Sequence, residues 1–443
     1  MRIAHLPSLS LLFTVWLFSL WMGVDADAQE ARKRWERLAQ IRRDKFDRVL
    51  PEVMRENGVD MWITMIREAN YKTLHADFGH GYASADGFYV FTDPTGEGRI
   101  ERTAFGIHGY LIEQCGAYDE FLPTEALAEF VRERDPKAVA LNMSRALGPV
   151  DTLSHTGYLQ LTEILGDSLT KRIVSAEKLV SDFRSRRVAS EITAFAEAGE
   201  MSRVLAERAL SNEVITPGET RLEEVAWWML DRLLERGLGS SFGMPSVYVT
   251  GPDGIVAISS DRIIQRGDLL MIDWGVGYLN LFTDMKRIAY VLRVGETEAP
   301  AGLQHAFDRG RAARTIIKDA IHTGITAATA EKEIYAALKA SGFKQIEFNK
   351  PTDDPDTTDV VIGCHSVGNT GHGIGPSIAF FNPVRVQYML HPTNLFSIEL
   401  FAYTSMPEWG GAKVRIPLED DAILTERGIE WLYPVNNRIL LIR

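Results

Sequence analysis

Two aspartates follow strand-like segments in the second half of this 443-residue chain and could hold a cation. The apolar run 269–272 places Asp273 at its end, and a second strand-like stretch leads to Asp284 eleven positions later. Carboxylates on adjacent strands can point into one pocket, although acidic residues are also common in hairpins. The aspartate pair alone is therefore weak evidence for a metal site.

Three further residues strengthen this interpretation. His372 lies among glycines in the segment 371–375, where the backbone can approach an ion closely. Glu399 stands inside an otherwise apolar strand, and Glu419 lies next to another strand-like run. An unpaired buried carboxylate is costly, so a cation is the economical partner for Glu399. Four carboxylates and one imidazole suit hard or borderline divalent ions, so Mn²⁺ is the first choice, with Zn²⁺, Co²⁺ or Fe²⁺ as alternatives.

This set of residues resembles the pita-bread metallopeptidases, which include Xaa-Pro aminopeptidase, prolidase and methionine aminopeptidase. The resemblance covers residues 184–443, and the order Asp, Asp, His, Glu, Glu is complete. The preceding domain and linking helix are arranged as in the Xaa-Pro aminopeptidase and prolidase branch. The motifs that carry the resemblance are Asp261-Arg262, Gly267-Asp268-Leu269, Ile272-Asp273-x-Gly275, Asp284-x-x-Arg287 and Gly371-His372-Gly373-Ile374-Gly375.

The resemblance implies a centre with two metal ions and a role for each ligand. Asp273 would be a terminal ligand of one ion, and Asp284 and Glu419 would bridge both. His372 and Glu399 would complete the other ion, with Glu399 also placed to take a proton from the attacking water. Two divalent ions ~3.5–4 Å apart can lower the pKa of a shared water and polarise a scissile carbonyl. The implied reaction is hydrolysis of short peptides that have proline after the scissile bond.

The sequence departs from the family pattern where two further histidines are usual. The segment 256–262 contains none, and Ala379 stands seven residues after His372, where the second would lie. Loss of an oxyanion donor typically costs ~10²–10³ in rate. His365 and Arg415 are the candidate replacements, although His365 could equally be a structural loop residue. Lys286 stands where the family often has threonine, and a surface salt bridge and a catalytic role are both open for it.

Two other classes of function stay open beside the peptidase. A non-catalytic metal- or peptide-binding protein of the same fold would explain the missing histidines, but the retained Glu399 and the bridging carboxylates oppose it. A metal-free C–N hydrolase like creatinase shares the fold, yet creatinase relies on histidines that this chain lacks. The sequence therefore favours the peptidase.

The elements that would position these residues fall into three regions. Residues 1–28 combine Arg2, an apolar run and a small-x-small pattern, which predicts a signal peptide cleaved after Ala28 and a secreted or periplasmic protein. The alternative is an uncleaved membrane anchor. Residues 29–183, with a helix at 42–57 and strands at 61–65, 87–92 and 138–142, indicate an α/β domain, and the resemblance implies that this domain is creatinase-like.

Residues 184–443 would form the pita-bread domain. A long amphipathic helix begins near Ser190, and a loose internal repeat follows. In each half of that repeat a Gly- and Thr-containing segment, at 216–220 and at 323–326, leads into a helix and then into strand-rich sequence. Two similar halves packed around one sheet would place a site at their shared interface, and the overall class is α/β (α+β).

Composition limits the possible partners. A formal net charge of −12 argues against a nucleic-acid partner, and 45% hydrophobic with 24% charged residues is typical of a globular protein. No stable membrane insertion is expected after signal cleavage, and analogy with the family implies a homodimer. Cys115 and Cys364 fall in different predicted domains, so no disulfide is expected. His75, His80 and His108 are interpreted as structural.

Overall fold

The computed structural model describes residues 30–68, 74–79, 81–252, 254–256, 261–379 and 381–443. The predicted signal peptide and its cleavage site after Ala28 lie outside these residues, as do His80 and residues 257–260 of the histidine-free segment. In the described ranges, no helix combines the length and the apolar character needed to cross a membrane.

A mixed sheet forms the centre of the N-terminal half. Its strands are β1 Met61–Arg67, β2 Asp86–Thr92, β3 Glu101–Phe105, β4 Glu120–Leu122, β5 Val139–Leu141 and β6 Ile173–Ser175. They lie in the order β4-β3-β2-β1-β5-β6. The pairs β1–β2 and β2–β3 are antiparallel, whereas β1–β5, β5–β6 and β3–β4 are parallel. The three strands predicted from the sequence are therefore present as β1, β2 and β5.

Helices cover both faces of this sheet. Trp62 and Phe91 pack with Phe46 and Phe183 on one face, and Ile63 and Val90 pack on the other. The helices are α1 at residues 30–44, a π-helical turn Lys45–Val49, α2 Leu50–Glu56, α3 His75–Phe78, α4 Tyr110–Glu113, α5 Leu127–Arg134, α6 His155–Thr170 and α7 Glu177–Ser185, with a 3-10 turn at Thr124–Ala126.

The helix predicted at residues 42–57 begins earlier in the structure than the sequence indicated. Helical structure already covers residue 30 and continues to Glu56, with a π-helical turn in between. Pairs four residues apart, such as Arg32 and Glu36 at 3.1 Å, support the added turns. The end agrees with the prediction, because Gly58 has a φ of 63° that other residues rarely adopt.

Eleven strands of the C-terminal half form one large sheet in the order β14-β15-β17-β18-β13-β10-β8-β9, with β16 beside β17, β19 beside β18 and β20 beside β13. A small sheet has the order β12-β11-β7. The bounds are β7 Gly239–Ser240, β8 Ser246–Gly251, β9 Gly254–Val256, β10 Leu269–Trp274, β11 Val276–Tyr278, β12 Leu281–Phe282, β13 Met285–Val291, β14 Phe343–Gln345, β15 Thr358–Ile362, β16 His365–Ser366, β17 Leu395–Ser405, β18 Lys413–Thr425, β19 Gly428–Trp431 and β20 Leu440–Ile442.

Two pairs of helices pack against one face of the large sheet and leave the other face for the site. Leu270 and Ile272 of β10 pack with the first pair, and Ile398 and Leu400 of β17 pack with the second. The first pair is α8 Ala189–Ala209 and α9 Leu222–Leu234; the second is α10 Ala301–Ala320 and α11 Ala327–Ala340, with 3-10 turns at Arg385–Gln387 and Pro407–Trp409. The two helices expected from the internal repeat are α9 and α11.

The α/β class expected from the sequence is confirmed. The predicted domain boundary between residues 183 and 184 falls in the last turn of α7, and its position stays a prediction. Cys115 and Cys364 are both buried and free, as expected.

Candidate metal centre

A row of four charged side chains crosses four neighbouring strands of the large sheet. Asp273 on β10 is opposite Lys286 on β13, which is opposite Glu419 on β18, which is opposite Glu399 on β17. Residues directly opposite each other point to the same face of a sheet. Strand register alone therefore brings three predicted metal ligands and Lys286 together on the face that the helices leave open.

Asp284 joins the row from the residue before β13. It stands two positions before Lys286, so that alternation directs both side chains to the same face. Its backbone N–H donates to Oδ2 of Asp421 at 3.1 Å, and the Asp421 N–H donates to the Tyr433 hydroxyl at 2.7 Å. Asp421 thus fixes the backbone that carries Asp284.

Two histidines complete the cluster. Nε2 of His365 lies 3.6 Å from Oε1 of Glu419 and 3.8 Å from Oδ2 of Asp284, and Nε2 of His372 lies 3.7 Å from the same Asp284 oxygen. The imidazole centroids are 4.5 Å apart. Burial and the neighbouring His365 lower the pKa of His372 to about 4, which favours the neutral ring that binds metals.

The glycine-rich loop that carries His372 is fastened on both sides. Arg385 donates one hydrogen bond to the carbonyl of Gly375 at 2.8 Å and another to the carbonyl of His372. The Gly375 N–H donates to Oγ of Ser181 in α7 at 3.0 Å. Gly375 has a φ of 83°, which other residues rarely adopt. Arg385 and Ser181 are therefore positioning residues for His372.

The donors beside Asp284 fit a divalent ion. One candidate group is Asp284, His365 and His372, whose ligand atoms lie within 4.8 Å of one another. Separations of 3.7 and 3.8 Å are too long for hydrogen bonds, but suit atoms that share an ion through bonds of about 2.0–2.2 Å. Nε2 of His365 and Oδ1 of Asp284 are buried without a hydrogen-bond partner. An ion would satisfy these buried atoms.

Lys286 lies in the middle of the remaining carboxylates. Its Nζ is 2.5 Å from Glu419 Oε2, 2.7 Å from Glu399 Oε1 and 3.1 Å from Asp273 Oδ2. The three donors of an ammonium group thus meet three carboxylates. The side chain is only 5% exposed, so the salt bridge considered from the sequence exists but is not on the surface. The strand register explains this burial, because position 286 faces the site rather than solvent.

The pKa values within the cluster diverge. Burial raises the pKa of Glu399 to about 7, and burial together with Glu419 raises the pKa of Asp284 well above its usual range. Burial would also raise the pKa of Glu419, but Lys286 and His365 hold it well below its usual range. Burial would lower the pKa of Lys286, yet the surrounding carboxylates raise it well above its usual value. Both directions favour the charged forms of Lys286 and Glu419.

A cavity of about 590 Å³ opens above the cluster. Arg415 lies in its wall with the guanidinium carbon 4.3 Å from the centroid of the Phe401 ring. Nε of Arg415 is buried without a hydrogen-bond partner. Phe381 lies 5.2 Å from the His372 ring, between centroids. The cavity therefore combines aromatic walls, a charged floor and a cationic donor at one side.

The two proposed replacements for the missing histidines lie in different places. Arg415 lines the cavity, whereas His365 is 1% exposed and lies beneath His372 among the carboxylates. This position favours a metal-ligand role for His365 over contact with substrate. Ala379 is also buried, at 1% exposure.

Besides Arg385 and Ser181, sequence reasoning missed Ser397, Gly363 and Asp421, which also support the cluster. Oγ of Ser397 donates to Oε1 of Glu419 at 2.5 Å. A Cβ on Gly363 would lie 2.2 Å from Oε2 of Glu399, so the absent side chain makes room for the carboxylate. Asp421 could have been found, because it stands two positions from Glu419 in the same strand-like run. No sequence signal pointed to Gly363 or Ser397.

The fold and the acid–histidine cluster together define a metallohydrolase-type site. A family model confirms the class: the chain belongs to metallopeptidase family M24, which matches residues 193–426, or 234 of the 443 residues. The pita-bread fold with an N-terminal domain, expected from the resemblance, is confirmed by this match and by the solved structures.

Relatives of this chain include prolidases and aminopeptidases. An Xaa-Pro dipeptidase from Pyrococcus furiosus is 23% identical over 305 residues, which cover 68% of this chain and 77% of the relative. The structure of an X-Pro aminopeptidase from Thermotoga maritima has a TM-score of 0.63 at 18% identity and covers 88% of this chain and 99% of that one. An Xaa-Pro dipeptidase from Bacillus anthracis has a TM-score of 0.58 at 20% identity, with 93% and 99% covered. At these identities the solved structures show a shared fold.

Proposed function

We propose that this chain is a metal-dependent peptidase that hydrolyses short peptides at an Xaa-Pro bond. The observation that carries the proposal is a cluster of possible metal ligands at one cavity. Asp284, His372 and Glu399 line the cavity, and the buried His365 and Glu419 lie next to them. Membership of the metallopeptidase family supports the reaction class, and the names of the relatives support proline after the scissile bond.

A bound divalent ion would polarise the scissile carbonyl and acidify the attacking water. The residues that would hold it beside Asp284 are His365 and His372. Glu399 reaches the cavity with its carboxylate and can accept the proton of the attacking water. Its hydrogen bond from Lys286, at 2.7 Å, keeps that carboxylate oriented.

Arg415 can supply the hydrogen-bond donor to substrate that the two missing histidines would otherwise provide. Its guanidinium lies over the Phe401 ring beside the cluster and can donate to a substrate oxygen. In this role it compensates for the small, buried Ala379 at the position where a histidine was expected. The aromatic walls, including Phe348 and Phe381, offer an apolar surface for a proline ring.

The finer features of the enzyme rest on the sequence. Mn²⁺ is the proposed metal, with Zn²⁺, Co²⁺ or Fe²⁺ as alternatives, and the resemblance implies two ions per chain. Export after cleavage at Ala28 is likewise a prediction from the sequence, and a homodimeric assembly is proposed by analogy with the family.

The proposal is tested by incubating the protein, loaded with Mn²⁺, with Xaa-Pro dipeptides, longer Xaa-Pro peptides and matched peptides without proline. Products are read by mass spectrometry. We expect cleavage before proline that is abolished by EDTA and by Asp284→Asn. The exposed Asp308 provides a matched control, because Asp308→Asn should leave cleavage unchanged.

A second candidate, a non-catalytic metal- or peptide-binding protein, is favoured by one observation, the ammonium of Lys286 among the predicted ligands. The same experiment separates the two functions. If the chain binds metal and peptide but cleaves no peptide, its function is that of a binding protein and not of a peptidase.

A further inference from the structure

We propose that the ammonium group of Lys286 takes the place of one of the two expected metal ions, so that the site holds a single divalent ion bound by Asp284, His365 and His372. The inference rests on the proposed function, since it concerns the same site. It changes the composition of the centre from two ions to one ion and one lysine.

Space is the first argument. The predicted ligands of the first ion are Asp273, Asp284 and Glu419, and two of them already contact Nζ of Lys286, at 3.1 and 2.5 Å. An ion bound to the same oxygens at about 2.0–2.2 Å would need the volume that Nζ fills. The side chain of Lys286 is only 5% exposed, and three carboxylates hold its Nζ in this position.

Charge is the second argument. Four carboxylates in the cluster can balance two divalent ions, and Lys286 adds one further positive charge to a buried site. A second divalent ion would then lie beside a fixed ammonium in a region of low dielectric, where like charges repel strongly. With the four carboxylates ionised, the cluster with Lys286 has a net charge of −1 with one ion and +1 with two. The repulsion between Nζ and a second ion, rather than neutrality, therefore favours the single ion.

The position left for an ion is the third argument. Nε2 of His365 faces Glu419 and Asp284 at 3.6 and 3.8 Å and has no hydrogen-bond partner. Glu419 is shared between the two cationic positions: its Oε2 contacts Lys286, while its Oε1 faces His365. A histidine that the sequence left between structural and functional roles thereby becomes a ligand.

The test counts bound ions in the full chain. The protein is dialysed against buffered Mn²⁺, and the bound metal is measured by inductively coupled plasma mass spectrometry. Electron paramagnetic resonance then shows whether the bound Mn²⁺ ions are isolated or magnetically coupled. We expect one ion per chain with the six-line spectrum of isolated Mn²⁺. In Lys286→Thr we expect two ions per chain, a twofold increase, with the spectrum of a magnetically coupled pair.

Two further variants sharpen the result. Lys413→Thr removes another buried lysine–carboxylate pair, to Asp359 at 2.7 Å, and should keep one ion. His365→Ala should lose the ion from the otherwise unchanged chain, and this measurement decides the ligand assignment even if Lys286→Thr does not fold.

Two ions in the unmodified chain would overturn the inference, as would an unchanged single ion in a folded Lys286→Thr or no loss in His365→Ala. None of these measurements needs peptide cleavage. A chain that binds one ion and cleaves nothing contradicts the proposed function alone, whereas a chain that cleaves peptides with two ions contradicts the inference alone.

Discussion

The clearest stability test removes the ammonium from the cluster. Lys286→Thr leaves Asp273, Glu399 and Glu419 without the cation that they surround at 2.5 to 3.1 Å. Removal of one partner from a buried ion pair costs about 3–5 kcal/mol. In the presence of EDTA we therefore expect Lys286→Thr to lose about 3–5 kcal/mol of unfolding free energy relative to the unmodified chain.

Metal should recover most of that loss. At a free ion concentration of 100 Kd, each site adds about 2.7 kcal/mol to the folded state. The unmodified chain with one ion gains about 2.7 kcal/mol, and Lys286→Thr with two ions gains about 5.4 kcal/mol. The difference between the two proteins should therefore shrink by about 2.7 kcal/mol, from about 3–5 to about 0.3–2.3 kcal/mol.

The assay is urea unfolding followed by tryptophan fluorescence, with EDTA or with Mn²⁺. Trp274 follows Asp273 in β10 and is fully buried, so it reports on the strand that carries the site. The control Lys413→Thr should lose stability in EDTA but gain no more from Mn²⁺ than the unmodified chain. Equal stability of Lys286→Thr and the unmodified chain in EDTA would refute the reasoning.

Three further substitutions test the parts of the site separately. Arg385→Met removes both hydrogen bonds to the loop of His372 and should weaken metal affinity ~10–100-fold in equilibrium dialysis; unchanged affinity would contradict its positioning role. Gly363→Ala places a methyl group 2.2 Å from Oε2 of Glu399 and should lower kcat by about 10²-fold, as measured by steady-state kinetics. A normal kcat would show that the carboxylate does not need this space. Arg415→Ala should lower kcat/KM by ~10²-fold with the metal content unchanged, and a loss of metal instead would place Arg415 outside the substrate contacts.

The sequence predicted the fold class and drew attention to the carboxylates of the cluster because their cues are local. Asp273 ends a strand of buried apolar residues, and Glu399 interrupts another, so a buried charge could be inferred from the immediate neighbours. The resemblance to a family then supplied the remaining order of ligands. These features need no knowledge of which strands pair.

The position of Lys286 could not be predicted in the same way. The contact between Lys286 and Glu419 depends on the register between β13 and β18, which brings together residues 133 positions apart in the chain. Without that pairing, a lysine between a buried aspartate and an arginine could equally face solvent. The same holds for His365, which reaches Glu419 only because β16 pairs with β17 next to β18.

The most direct test of the metallopeptidase assignment relates activity to metal content. The rate of Xaa-Pro dipeptide hydrolysis is measured across a series of buffered Mn²⁺ concentrations, together with the number of ions bound at each concentration. The account predicts that the rate rises in proportion to occupancy and reaches its maximum at one ion per chain. Hydrolysis that persists in the metal-stripped protein, or no hydrolysis of any peptide at full occupancy, would contradict it.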